Sequence, residues 1–497
     1  MPTSSADTSP ADERIFDVAV LGAGPAGLAA AGSAAAAGAR VAMIDAGQRV
    51  GGQYWRHRDG DDGSQHTGWS IFAGLRRTVD QYADRIDQLV GHSIWRVETL
   101  PDRGFRVLAT TDDGGREIAA STVVVAPGAY DRQLPFPGWT LPGVLTAGGA
   151  QALLKGHGVM AGSKIAVAGT GPFLLAVAAG LAAAGAQVIG VFEASGTPVA
   201  FARHPISVAR NAAKIVEGAR YAKVLARHRI PYRTRTAVIA AHGTDSVTGV
   251  VVATLDRNWN VVNGSQRELE CDTVAVGYGF TPQLELAVQL GCATRMDQDG
   301  SLVTVAGVDQ RSTAPGVYVA GEATGIGGSA LSITEGEIAG RHAARAATGA
   351  ELDGRVTRQL IRRRASQQQF ATTLLQAYPV RPGWLGWTDN TTVVCRCEEV
   401  TVGTIDDAVH QLGASDPRAV KLYARPGMGL CQGRVCGYAT SCLVADRAGR
   451  TPTVDDLQSV ASRPIAGPVT LGQLAQAYRR GIEFDAGAES AHPGSRQ

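Results

Sequence analysis

One supersecondary unit is written twice in this chain, and that duplication restricts the fold more than any other feature. The segment "DVAVLGAGPAGLAAAGSAAAAGARVAMIDA", Asp17 to Ala46, reads as strand, glycine turn, helix, strand. Short apolar runs, Val18 to Leu21 and Val41 to Ile44, flank an Ala-rich stretch of high helix propensity. Gly22, Gly24 and Gly27 complete G-x-G-x-x-G. In such a turn the first glycine allows the sharp bend and the second lets backbone approach a pyrophosphate. The third lets helix and strand pack closely, and the helix N-terminus favours the phosphate charge. Asp45 ends the second strand, where a carboxylate can accept hydrogen bonds from a ribose hydroxyl.

The pattern returns in "KIAVAGTGPFLLAVAAGLAAAGAQVIGVFEA", Lys164 to Ala194, with Gly169, Gly171 and a terminal Glu193. Leu174 stands where the third glycine belongs, which pushes helix from strand and alters the phosphate cradle. NAD, another adenine nucleotide, or nothing at all remains open for this second site. Glu193 favours an unphosphorylated ribose if NAD binds. The repeat also explains the one apolar run long enough to span a bilayer, Phe173 to Phe192: it reads as a buried helix plus a buried strand.

The totals set outer limits. A chain of 497 residues exceeds one ordinary domain. Its 44% hydrophobic and 19% charged content is that of a soluble globular protein. A formal net charge of only +2 gives no reason to propose nucleic acid or an anionic membrane as partner. Residues 1–14 are polar and unlike a signal peptide, so a disordered tail and a cytoplasmic setting are expected. Seven cysteines without a secretion signal suit a reducing compartment, where thiols more often bind metal than pair.

Four of those cysteines form a pattern. "VVCRCEEVT" carries Cys395 and Cys397, and after thirty-three residues "GLCQGRVCG" carries Cys431 and Cys436. Four thiolates can give two ligands to each iron of a [2Fe–2S] cluster. Glycines around the second pair leave N–H groups free to approach the sulfurs. Zinc also takes four thiolates, though its usual knuckle is C-x-x-C. A disulfide between Cys431 and Cys436 leaves the C-x-C pair without a role. The cluster accounts for all four; Cys271, Cys292 and Cys442 read as small buried hydrophobes.

With these motifs in hand, residues 15–345 resemble the two-dinucleotide-binding-domain flavoproteins, the superfamily of thioredoxin and glutathione reductases. The resemblance rests on the two units and on four further segments. "GGQYWR" (Gly52, Gln53) is similar to the loop that passes the flavin ring. "TVVVAPGA" (Gly128) and "DTVAVGYGFTPQ" look like the strand-to-glycine crossovers. "GVYVAGEATG" resembles the late FAD motif, with Gly321 and with Glu322 in place of its usual Asp. The resemblance implies FAD in the first unit. It also implies a redox disulfide near the flavin, which this chain cannot build, having no cysteine before Cys271.

Residues 391–450 resemble the bacterioferritin-associated-ferredoxin-like [2Fe–2S] domain. The variant is the one fused to large subunits of bacterial amino-acid and opine dehydrogenases, such as opine oxidases, D-hydroxyproline dehydrogenase and hydrogen cyanide synthase. That resemblance implies an electron-transfer subunit with two partners: a D-amino-acid-oxidase-like flavoprotein and a small ferredoxin-like chain. A stand-alone NADH-dependent reductase is the competing expectation, a redox sensor a remote one.

The expected architecture is α/β: two Rossmann-like dinucleotide-binding domains and then a small helical [2Fe–2S] domain. Its segments are an FAD-binding domain at 15–150 and 265–345, a second nucleotide domain at 151–264 and a linker at 346–390. The cluster domain follows at 391–450 and a tail at 451–497. No residue reads as a convincing catalytic base; His57 and His66 read as parts of a flexible surface loop. The basic stretch 201–235, nine Lys or Arg against Glu217, reads as a solvated helix face, and Trp384 and Trp387 as packing residues.

Overall fold

A computed structural model describes residues 15–101, 104–196 and 212–479. The first unit folds as its pattern requires. Phe16–Leu21, buried along almost its whole length, lies parallel between Val41–Ile44 and Gly114–Val125. Strands buried on both faces are continuous apolar runs, which is the character of a parallel sheet covered by helices. The full sheet runs Ile86–Leu89, Val41–Ile44, Phe16–Leu21, Gly114–Val125, Gly104–Thr111, Ser93–Leu100. The late strand Val317–Val319 pairs with Gly114–Val125, so a segment some two hundred residues downstream completes the sheet.

That return is locked by two helices in close contact. Pro25–Ala36 lies against Ser329–Thr348 so tightly that a methyl group on Gly336 would sit 2.1 Å from the Ala26 carbonyl oxygen. One turn later a methyl on Gly340 would sit 2.1 Å from the Ala30 oxygen. Small residues at i and i+4 share one helix face, so the pair forms a flat strip on which the Ala-rich helix rests.

The second unit has its own parallel sheet: Tyr232–Thr234, Gln187–Glu193, Lys164–Gly169, Thr273–Gly277, Val144–Thr146. A three-stranded antiparallel sheet, Thr236–His242, Gly249–Thr254 and Arg267–Glu270, is attached to it. The apolar run from Phe173 is the helix Phe173–Ala183 and the strand Gln187–Glu193, both within this unit. No helix among the described residues is long and apolar enough to cross a membrane.

The chain crosses between units earlier and later than boundaries at 150 and 265 suppose. Val144–Thr146 and Thr273–Gly277 both lie in the second sheet, and the segments that cross are zipped together: Ala129–Asp131 pairs antiparallel with Phe280–Pro282. The reason is that each crossover glycine follows the last strand of its own unit. Gly128 therefore ends the first unit's outward path, and Gly277 to Gly279 begins the return.

The helix Gly354–Ala377, capped by Asp353, leads on toward the cluster domain. That domain holds Val402–His410, Pro417–Ala424 and Gly437–Arg447. Residues 451–479 are more than a tail. Val454–Ala461 opens with a Thr453–Asp456 capping box, and Ala466 N–H donates to Trp95 O at 2.7 Å on the first unit's sheet edge. The basic stretch at 201–235 falls partly outside the described residues.

The packed glycines give a direct test. Replacing Gly340 with Leu forces the two helices apart, a small-to-large change expected to cost about 1–3 kcal/mol or more. Thermal unfolding of the FAD-loaded chain should show a lower Tm and weaker retention of flavin, while Gly386→Ala, at an exposed glycine whose added methyl meets no atom within 4 Å, leaves both in place.

Candidate flavin and iron–sulfur sites

The first glycine turn is built for a charged group that has no protein substitute. Gly22 sits at φ +111°, and a methyl there would meet the Ala126 carbonyl oxygen at 2.2 Å. A methyl on Gly27 would lie 1.7 Å from the Gly22 oxygen. Gly24, by contrast, faces open space, its nearest neighbour being Gly52 Cα at 3.9 Å from a built Cβ. No side chain caps the helix Pro25–Ala36 that begins there. Orphan N–H groups at an uncapped helix start are what a pyrophosphate satisfies.

The surrounding residues converge on the same turn. Asp45 accepts from Ala23 N–H and Gly47 N–H, both at 2.6 Å, and burial raises its pKa. Gly52 packs against Gly24, and Gln53 beside it is exposed. Gly128 faces open space across the crossover. Gly321 lies against Ala26 of the same helix, and the Glu322 carboxylate accepts from Gly328 N–H at 2.9 Å and Gly327 N–H at 3.3 Å. Burial pushes Glu322 up to about 7. These residues fit FAD.

The group that holds Gly321 does not stand out in the sequence. Glu335, fully buried, accepts from Gly321 N–H at 3.0 Å, Thr324 Oγ1 at 2.9 Å and Arg364 Nε at 2.9 Å. Burial raises its pKa against the opposing pull of Arg364. The one signal for it is a lone acid on the apolar face of "SALSITEGEIAG", with a cation twenty-nine residues later.

The second turn repeats the plan with a decisive change. Glu193 is completely buried; it accepts from Thr170 Oγ1 at 2.7 Å, Gly171 N–H at 2.8 Å and Ser195 N–H at 2.8 Å. Asp45 reaches Ala23, but the longer glutamate reaches one residue further and takes the amide of the second glycine. Burial moves its pKa up to about 7. Leu174 is buried where the third glycine belongs, and Gly169 lies against Gly277. The space beside Gly171 is open, yet its acid faces inward rather than toward a ribose.

The loop carrying His57 and His66 is ordered by aromatic packing rather than free. The His66 ring is buried, stacks on Trp69 at 4.8 Å and lies 3.4 Å from Asp61. His57 also packs on Trp69 and Phe72, so hydrophobic contact overrides the polar composition of the stretch.

The four cluster cysteines come together in two pairs, each pair taking one sulfur from each motif. Cys395 and Cys436 are within hydrogen-bonding reach, as are Cys397 and Cys431. The first two are buried, Cys397 is exposed and Cys431 half-buried. Hydrogen bonding from Cys436, opposed by burial and aided by Gly427 N–H at 3.4 Å, brings Cys395 down to about 5. Its hydrogen bond with Cys395, together with burial, pushes Cys436 up. Gly429 has no room for a side chain: a methyl would lie 2.1 Å from Cys397 Cβ. Among the described residues no three His, Cys, Asp or Glu side chains converge on a single-ion site. Two sulfur pairs suit two iron atoms better than one zinc ion. Cys271 and Cys292 are buried apart from this group, and burial lifts Cys442, beside Tyr438, to about 11.

The cluster loop is fastened to the flavin half. Arg434, between Cys431 and Cys436, donates through Nε to Tyr130 Oη at 2.7 Å and pairs with Glu285 at 2.9 Å. It also donates to Cys431 O at 3.3 Å and to the Ala466 carbonyl. Tyr130 stands two residues after Gly128. Nearby, buried Arg132 pairs with Asp299 at 2.7 Å and lies 4.5 Å over the Tyr438 ring. Trp139 Nε1 donates to Val393 O at 2.5 Å, and Trp387, stacked on Trp259, donates to its carbonyl at 3.0 Å. Trp384, buried in the same core, and Trp387 are thus packing residues.

Residues 16–348 match the model of the pyridine nucleotide-disulphide oxidoreductase family. The chain belongs to that family. Its members' fold is joined here to a BFD-like [2Fe-2S] binding domain over residues 393–445, so this oxidoreductase is a flavoprotein with FAD and [2Fe–2S] as its cofactors. It is 33% identical to hydrogen cyanide synthase subunit HcnB of Pseudomonas aeruginosa, over 81% of this chain and 87% of that one. It is 32% identical to an opine oxidase subunit of Agrobacterium tumefaciens, over 88% of this chain and 87% of that one. L-proline dehydrogenase from P. horikoshii shares the fold, with TM-score 0.65 and 22% identity over 93% of this oxidoreductase and 79% of that chain.

Two outcomes follow. Gly429→Ala should block cluster assembly, read as loss of the visible iron–sulfur absorbance in a chain that still binds FAD; retention of full cluster absorbance would contradict the packing. Glu193, raised by burial, weakens the fold as pH rises from about 4.5 through 7, because the buried group must then ionise or stay protonated at a cost. Glu193→Gln should flatten that part of the stability–pH curve, measured by hydrogen exchange in the second unit.

Proposed function

We propose that the chain is the electron-transfer subunit of a heteromeric dehydrogenase in which a partner flavoprotein of the D-amino-acid-oxidase type oxidises a C–N bond. The carrying observation is the fastening of the cluster loop onto the flavin crossover through Arg434, Tyr130 and Glu285. Fixed spacing between two redox groups is what a protein contributes to electron transfer, the chemistry belonging to the cofactors. FAD exchanges electrons in pairs or singly and the cluster singly, so together they join a two-electron donor to one-electron flow. The chain's residues hold that pair in place: Gly22, Gly24, Gly27, Asp45, Gly52, Gln53, Gly128, Gly321 and Glu322 around the flavin, and Cys395, Cys397, Cys431 and Cys436 around the irons.

The relatives support this reading, since their names are those of subunits of a hydrogen cyanide synthase and of opine oxidases. An amino acid, imino acid or opine is therefore the donor class we assign to the assembly, with a small ferredoxin-like chain as a further partner and the cytoplasm as its setting. The inward-facing Glu193 and buried Leu174 weigh against feeding by NADH at the second unit, whatever adenine nucleotide that unit holds.

Anaerobic mixing of the cofactor-loaded chain with NADH tests this. The flavin absorbance should stay unchanged, and dithionite should then bleach it. Rapid bleaching by NADH would make the chain a stand-alone reductase. Co-expression with the proposed flavoprotein partner should in turn give amino-acid- or opine-dependent flavin reduction that the single chain lacks.

A further inference from the structure

Large apolar side chains are normally scattered singly over a protein surface, and a group of them marks a contact site. Fourteen such side chains stand exposed among the described residues, and six fall between positions 412 and 435: Leu412, Leu422, Tyr423, Met428, Leu430 and Val435. Leu430 is 80% exposed and Leu422 72%. Met428, Leu430 and Val435 belong to the very loop that presents Cys431 and Cys436, and Cys397 is exposed as well. Burial elsewhere in this domain is thorough, with Val394, Ile405, Val420 and Leu443 all in the core. The exposed set is therefore confined to the cysteine loop and the stretch leading into it, where Leu422 and Met428 share one cavity wall, rather than a sign of a small domain short of core.

A cavity of about 540 Å³ opens beside this patch. Leu422 and Met428 of the patch line it, together with Cys436 and three cations, Arg418, Lys421 and Arg463. Asp455 is the one carboxylate among its lining residues. Thr440, also in the lining, is buried with a hydroxyl that has no hydrogen-bond partner, and Arg463 Nε is likewise unpaired. Three cations stand against one acid and the one cluster cysteine in the wall, and a donor is left over, so the cavity keeps a positive excess that an anionic group from outside would meet.

We infer that this face docks an electron-transfer protein whose contact surface is acidic around an apolar centre, one partner carboxylate entering the cavity among Arg418, Lys421 and Arg463. The apolar patch excludes water over the cluster ligands, and the cations steer the partner and fix its register. The inference rests on the electron-carrier reading above and names the surface through which the carrier is engaged. In the encounter one electron leaves the reduced partner and enters the oxidised cluster.

An acidic plant-type ferredoxin, photoreduced, serves as probe against the full chain loaded with FAD and cluster, in stopped flow. Cluster reduction should saturate with ferredoxin and slow at least tenfold between low and high salt. Lys421→Glu, Leu422→Glu and Leu430→Glu should each slow it about tenfold or more, while reduction by dithionite, which needs no docking, keeps its wild-type rate. These positions are exposed or line a cavity, so the variants should fold; the visible cluster spectrum verifies it, and Leu471→Glu, exposed but outside the patch, is the control expected to change nothing. Ferredoxin rates unaffected by the patch variants, or by salt, overturn the proposal. So does self-association of the wild-type chain that Leu430→Glu abolishes, since a second copy would then be the occupant. A cluster that the ferredoxin reduces without electrons passing on to the flavin would instead overturn the electron-carrier reading itself.

Discussion

A single guanidinium carries much of the architecture's purpose. Arg434 sits inside the loop that carries Cys431 and Cys436, and its donors reach Tyr130 and Glu285 of the flavin half, the Cys431 carbonyl and the Ala466 carbonyl of the C-terminal segment. Its side chain is largely shielded from water and its carboxylate partner more so, a setting in which charge-assisted hydrogen bonds hold geometry well. Removing one member of such a buried pair leaves the other uncompensated, which typically costs about 3–5 kcal/mol. The cluster domain thus sits on the flavoprotein as part of it rather than as a module on a tether. The core that includes Cys395 and Cys436 is continuous with the second unit's sheet and with Trp259, Trp384 and Trp387.

The same economy governs the nucleotide turns. In the first, acid and glycines leave an uncapped helix start facing open space, so the charge is left for a ligand to supply. In the second, one extra methylene lets Glu193 reach the amide of Gly171, and Leu174 fills the space that a third glycine would have kept. Two copies of one unit have diverged by side-chain reach, one kept as a cofactor cradle and the other drawn inward upon itself. The proposed electron path, entering at the cluster rather than at the second nucleotide fold, draws on that divergence.

Much of this is legible without the structure. The two strand–turn–helix–strand units, the late return of the first sheet and the pattern of the four paired cysteines all rest on local chemistry that a sequence displays openly. What stays hidden depends on pairs far apart in the chain. Arg434 and Tyr130 are separated by 304 positions, Trp139 and Val393 by 254, and nothing in either neighbourhood names the other. The crossing boundaries are misplaced by sequence because the strands 144–146 and 273–277 are too short to show which sheet they join. The loop of His57 and His66 reads as flexible from its acidic, glycine-rich composition, whereas Trp69 and Phe72 beyond it decide its packing.

Electrons moving between cluster and flavin within one chain are the central requirement of the proposed function. The most direct measurement is a sub-stoichiometric one-electron photoreduction pulse on the chain loaded with both cofactors, following flavin and cluster absorbance together. The two signals should re-equilibrate in a phase whose rate does not depend on protein concentration, and Arg434→Gln should slow that phase while both cofactors stay bound. Signals that fail to exchange, or that exchange only in proportion to protein concentration, would contradict it.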